Sequence, residues 1–187
     1  PARTRTPARH AGTTGARAGA IALTGVPRRW PSGPGLAGIG GYWGPFAYRS
    51  AFHAAAEQEE SSRALSHLRD LLMVEGSNTV AAIILETVVG TNGILVPPTG
   101  YLEGVRALCD EFGIVLIADE VMAGFGRCGE WFALDHWGVK PDLITFAKGV
   151  NSGYVTLGGS VSSDPIAAPF ATRAVPRGLP RPGHPRA

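Results

Sequence analysis

The chain has 187 residues, of which 44% are apolar and 17% charged, with a formal net charge of +2. That length supports one ordinary domain with a real core, and no run reaches the ~18 uncharged apolar residues that a membrane-spanning helix needs. Cys109 and Cys128 form neither a disulfide framework nor a metal-ligand spacing, so a reducing cytoplasm is the default compartment.

The net charge conceals an asymmetry. No acid occurs before Glu57 or after Asp164, and the fifteen acids in between face only six basic residues, a local net charge of −9. Arginine-bearing flanks can touch nucleic acid. These flanks interleave arginine with Pro, Gly, Thr and Ala, without a helical face or aromatic platforms, and they read as ends that do not pack. Neither a nucleic-acid partner nor a membrane partner is expected. Residues 1–20 are therefore read as a poorly packed end, 21–170 as the body of the fold, and 171–187 as an aberrant or truncated tail.

Within the body, "GAIALTG" is a short ordered stretch. The glycines of "GIGGYWG" lack the Lys and Ser/Thr of a phosphate loop and read as turns. Tyr42, Trp43, Phe46 and Tyr48 form an aromatic cluster suited to a packed arm. "EQEESSRALSHLRDLLMVEG" predicts a helix: Leu65, Leu68, Leu71 and Leu72 make a stripe, acids crowd the first turn, and Gly76 can end it. "TVAAIILE" is a β-branched apolar run ending on Glu86. A second helix follows "VPPTG", with Leu102, Val105, Leu108, Cys109 and Phe112 facing inward and Gly113 as its stop. "IVLIAD" is an apolar run ending on Asp119, "DLITFA" is a third running into Lys148, and "LGGSVSS" is a candidate fourth strand.

Alternating helices and continuous apolar strands predict an α/β fold with a mainly parallel sheet buried on both faces. Ligands of such sheets bind outside the carboxyl ends of the strands. Glu86, Asp119 and Lys148 each end a predicted strand, so two acids and a lysine are expected on one rim. A lysine with a desolvated amine is a Schiff-base nucleophile, and Gly149 beside it leaves room for a planar adduct. A carboxylate facing a pyridine nitrogen keeps that nitrogen protonated, which is the arrangement pyridoxal 5'-phosphate chemistry uses. His53, His67 and His136 are isolated, and no metal site is expected. Arg127 in "GFGRCG" reads as a loop organiser or subunit contact.

"IADEVMAGFGRCGEWFALDHWGVKPDLITFAKGVNSGYVTLGG" resembles the signature of the class III, or omega-amino-acid, aminotransferases. "AAIILETVVGTNGILVPPTGYLEGVRALCDEFGIVLIADE" is similar to the same family in order and spacing, closest to its taurine– and β-alanine–pyruvate transaminases. The resemblance implies the type I pyridoxal-phosphate-dependent fold, with residues 21–170 as part of its cofactor-binding large domain. It also implies transamination between an amine or omega-amino acid and an oxo acid such as pyruvate, in a homodimer. A racemase, aminomutase or decarboxylase on the same fold, or a non-catalytic remnant, stays open beside it.

By that resemblance Lys148 carries the cofactor as a Schiff base and then moves the substrate proton, and Asp119 pairs with the pyridine nitrogen. Val121 packs on the ring, and Glu86 helps to place Asp119 or the substrate. His10 and Gly12 echo a Tyr-His-Gly segment whose tyrosine is missing. Pro180 stands where the family has a phosphate-reaching threonine, and the family's upstream phosphate loop and its C-terminal small domain have no counterpart in the sequence. These departures lead to the expectation of an impaired fragment, truncated or frameshifted.

Overall fold

The computed structural model describes residues 3–9, 18–25 and 36–172. The strands are β1 (Thr6–Arg9), β2 (Ile39–Tyr42), β3 (Ala82–Glu86), β4 (Val115–Asp119), β5 (Leu143–Phe146) and β6 (Gly159–Ser162). The helices are α1 (Ala18–Ala22), α2 (Glu57–Glu75), α3 (Tyr101–Phe112) and α4 (Asp164–Thr172). All six strands join one sheet in the order β2-β1-β3-β4-β5-β6, parallel throughout except for antiparallel β6. Among the described residues no helix is long and apolar enough to cross a membrane.

The central strands follow from composition. Every residue of β3 is buried, as expected for a parallel strand with both faces covered, and β4 is half-buried or buried along its length. The leucine stripe of α2 works as its spacing predicts. Leu68 and Leu72 are fully buried with Ala64, and Leu65 and Leu71 pack at the margin. They meet Leu102, Val105 and Cys109 of α3 over Ile83, Leu85, Leu116 and Ala118 of the sheet. At the end of α3, Gly113 takes φ +61°, a left-handed cap in which its N–H reaches the carbonyls of Cys109 and Asp110. Burial pushes the Cys109 thiol up to about 12, so it behaves as a small hydrophobe.

Two expectations need correction. Residues 1–20 were expected to pack poorly, yet Thr6–Arg9 is an interior strand whose Pro7, Ala8 and Arg9 are buried. Its composition gives no strand signal because backbone pairing and one buried stem supply the order instead. It pairs with β2 over four residues but with β3 only at Ala8↔Ile84, in keeping with a proline that has no N–H to donate. Arg9 lays its side chain against Gly44 and donates from Nη2 to the Pro45 carbonyl at 2.7 Å. The same pairing makes Ile39–Tyr42 a strand where "GIGGYWG" had been read as turns. Tyr42 is buried in the core, whereas Trp43 and Tyr48 are exposed, so the aromatic cluster does not form one packed arm. Residues 1–2, 10–17 and 173–187 lie outside the described residues.

Leu68 is 0% exposed and central to the α2–α3 layer. Leu68→Ala is expected to lower the stability of the chain by about 3 kcal/mol, whereas Leu65→Ala at the margin lowers it by roughly half as much or less. Urea titration followed by far-ultraviolet circular dichroism checks the order.

Candidate active site

Strand register brings the predicted rim together. Glu86 and Asp119 are the final residues of β3 and β4 and stand opposite each other in the ladder. Asp119 pairs in turn with Thr145 of β5. Lys148 follows β5 by two residues, in the short 3-10 turn Lys148–Val150. Because β3, β4 and β5 run parallel, all three side chains belong to the same edge of the sheet.

The two carboxylates are removed from water, with Glu86 4% and Asp119 3% exposed. Glu86 accepts the Gly90 N–H at 2.9 Å, which closes the loop after β3. Asp119 accepts the Val121 N–H at 3.1 Å. Burial raises the Asp119 carboxyl to about 6; the Val121 N–H pulls it back, neighbouring Glu86 raises it further, and the Lys148 charge and the Thr145 hydroxyl lower it. The Thr145 hydroxyl lies buried at this rim, opposite Asp119 in the ladder.

Lys148 does not match the sequence reading in one respect. The amine was expected to be desolvated, yet the residue is exposed. The physical reason is its position beyond the end of β5, in the short turn Lys148–Val150. Its backbone takes φ +40°, a left-handed conformation that a lysine adopts at a cost of about 1–2 kcal/mol. Gly149 has a second close neighbour. A Cβ there would lie 3.0 Å from the Phe125 Cβ and 3.1 Å from the Gly124 carbonyl oxygen, so the glycine admits the loop after β4.

The sequence reading missed the residue that holds this loop. Glu120 is 0% exposed, and its Oε1 accepts the Thr87 hydroxyl at 2.7 Å and the Leu134 N–H at 3.1 Å. Its Oε2 accepts the Ala133 N–H at 3.0 Å. The signal available in the sequence was an Asp-Glu pair at a strand end, where one of two adjacent side chains must face away from the rim. Val121 is half-buried beside Asp119. Arg127 lies exposed in the loop. His10, Gly12 and Pro180 lie outside the described residues.

Residues 18–175 match the family model described as aminotransferase class-III. The chain belongs to the class-III aminotransferase family. The family is pyridoxal-phosphate-dependent, and the sheet is a part of the type I fold of that cofactor's transferases. The chain is 45% identical over 121 residues to a diaminobutyrate–2-oxoglutarate transaminase of Halomonas elongata, which covers 62% of this chain and 26% of that protein. It is 37% identical over 139 residues to a taurine–pyruvate aminotransferase of Bilophila wadsworthia, covering 68% and 30%. Among solved structures, a taurine:2-oxoglutarate aminotransferase from Bifidobacterium kashiwanohense, in complex with pyridoxal phosphate and glutamate, superposes with a TM-score of 0.88. That match is 41% identical and covers 95% of this chain and 40% of the other. The chain thus spans between about a quarter and two fifths of the length of these proteins.

The residues present fit the cofactor of the family. Two adjacent buried carboxylates, one of them raised by burial and by the other, call for a cation beside them, and a protonated ring nitrogen is one. An exposed primary amine on the same edge suits a covalent attachment.

Two outcomes follow without cofactor. Asp119 folds with its carboxyl near 6 against an ordinary 3.8, so the folded chain holds a proton that the unfolded chain has released between about pH 4 and pH 6. Stability from this group is therefore present below pH 4 and lost as the pH rises through 6, by about 3 kcal/mol in all. Asp119→Asn retains the acceptor for Val121 and removes that loss. Its melting temperature should match the parent near pH 4 and exceed it at pH 8. At Lys148, glycine relieves the left-handed strain, so Lys148→Gly should be more stable than Lys148→Ala by about 1 kcal/mol in chemical denaturation.

Proposed function

We propose that this chain carries the catalytic rim of a transaminase moving an amino group between an amine or omega-amino acid and an oxo acid such as pyruvate or 2-oxoglutarate. The observation that carries the reading is the register of Glu86, Asp119 and the Lys148 turn on adjacent parallel strands. The relatives act on taurine or diaminobutyrate with pyruvate or 2-oxoglutarate, which supports a donor whose amine lies at the end of a short acidic chain.

Pyridoxal phosphate, when bound, supplies an electrophilic carbonyl carbon and a ring that accepts electrons from the substrate. Lys148 is the residue that would attach it, through an amine free to reach outward from its turn. Its Nζ would also be the base for the proton on the substrate carbon that bears the nitrogen. Asp119 would hold the ring nitrogen in its protonated form, because an ionised carboxylate beside a cation is stabilised where one beside Glu86 alone is not. Glu86 would keep Asp119 in place by fixing the neighbouring loop through Gly90 and by adding negative charge. Val121 orients Asp119 through its N–H and would present its side chain to the ring.

The homodimer expected of the complete enzyme belongs to the same reading. Exposed Tyr48, Ile94 and Val96 border an apolar groove of about 610 Å³, a surface suited to a second copy.

The test begins with trapping. The purified chain is incubated with pyridoxal phosphate, reduced with borohydride and digested, and the modified peptide is identified by mass spectrometry. Modification is expected on the peptide containing Lys148 and is lost in Lys148→Ala. In the complete enzyme, Lys148→Ala is expected to lower transamination of taurine or diaminobutyrate by about 10⁴-fold or more, in line with loss of a covalent and acid–base group. Modification confined to Lys140 would overturn the assignment.

A further inference from the structure

We propose that Glu120 is a positioning residue that couples the Asp119 strand end to the Lys148 turn, through the loop that leaves β4. This rests on the rim being the reactive edge.

The loop from Glu120 to Leu134 begins and ends on one carboxylate. Glu120 donates its own N–H to the Thr145 carbonyl at 2.9 Å, which extends the β4–β5 ladder past Asp119. Its side chain gathers the Thr87 hydroxyl, one residue beyond Glu86, and the N–H groups of Ala133 and Leu134. A single buried group therefore fixes the ends of β3 and β4 relative to each other and closes the loop at its base.

The far side of the loop bears on Lys148. Phe125 takes φ +59° and donates its N–H to the Trp131 carbonyl at 2.6 Å, so the loop folds back on itself. Its ring meets Phe132 and Trp131 edge-on and lies 5.4 Å from the Phe146 ring at the end of β5. Its Cβ sits where a side chain on Gly149 would be. The Lys148 turn is thus held between the β5 ladder and a loop whose base is Glu120, and the Val150 N–H to Ala147 carbonyl bond closes it. Two strained backbones, at Phe125 and Lys148, persist because packing over-determines them.

All three of Glu120's polar contacts are donors to its oxygens, so the site needs a full acceptor. Glutamine keeps the shape but turns an N–H₂ toward at least one N–H, which leaves a buried donor unsatisfied. Thr87→Val removes a single donor at nearly constant volume.

Amide hydrogen exchange by NMR reads the coupling without cofactor, at Val121 on Asp119, Val150 in the Lys148 turn, and Ile84 in β3. In Glu120→Gln, protection at Val121 and Val150 is expected to fall at least 10-fold while Ile84 changes less than twofold. In Thr87→Val the same pattern is expected at about threefold, and this variant decides the matter should Glu120→Gln not fold. An equal loss at all three amides, or none at Val150, overturns the proposal in favour of a merely structural residue. The second arm is reductive trapping of pyridoxal phosphate, with Lys140 as internal reference because the chain has only two lysines. The preference for Lys148 over Lys140 should drop at least 10-fold in Glu120→Gln. A parent chain with no preference refutes the transaminase reading while leaving the exchange result to judge the coupling.

Discussion

Asp119 and Glu86 stand side by side at the ends of two paired strands with almost no access to water, and the rest of the rim is arranged around that constraint. Buried carboxylates without nearby donors shed their charge. Asp119 accepts the Val121 N–H, which offsets its burial beside Glu86 only in part. The carboxyl of Asp119 responds by rising to about 6. An acid held in that range is poorly matched to the protein alone and well matched to a cation delivered from outside. The fold thus stores an electrostatic demand that a cation bound under the proposed function would satisfy, at some loss of stability in the free chain.

Glu120 shows how differently an adjacent acid can be used. It is as buried as Asp119, yet it accepts one hydroxyl and two N–H groups and needs no outside cation. Alternation along the strand end sends the two side chains to opposite faces, one to the rim and one under the loop. Charge-assisted hydrogen bonds to a buried group are the strong kind, so this carboxylate is a suitable fixed point for a loop carrying strained residues.

How much of this the sequence discloses depends on where the order originates. The α2 stripe, the α3 stripe and the three apolar runs were legible because burial of side chains creates them, and burial leaves a pattern in residue type. The convergence of Glu86, Asp119 and Lys148 was legible for the same reason: parallel strands share an edge, and each run ends visibly. β1 and β2 were not legible. "TPAR" and "IGGY" owe their strand geometry to backbone pairing with each other and to the buried Arg9 stem, and neither leaves a period in composition. Phe125 against Gly149 was equally hidden, since the contact joins residues from two different loops. The glycine is visible beside the lysine, whereas its packing against Phe125 is not.

The exposed lysine alters how the rim is understood. From sequence, a lysine after an apolar run is expected to be nucleophilic because desolvation weakens its charge. In the structure Lys148 stands outside the sheet, so burial by the described residues cannot be what prepares it. What the chain supplies instead is direction: a left-handed backbone at φ +40° and a following glycine pinned by Phe125 fix where the side chain starts. Correct placement of a reacting group contributes more to such chemistry than a modest change in basicity, since effective molarities of about 10⁵ M or more come from geometry. Under the proposed function the backbone strain at Lys148 would be the cost of aiming an amine, and the aromatic loop the element that sustains it.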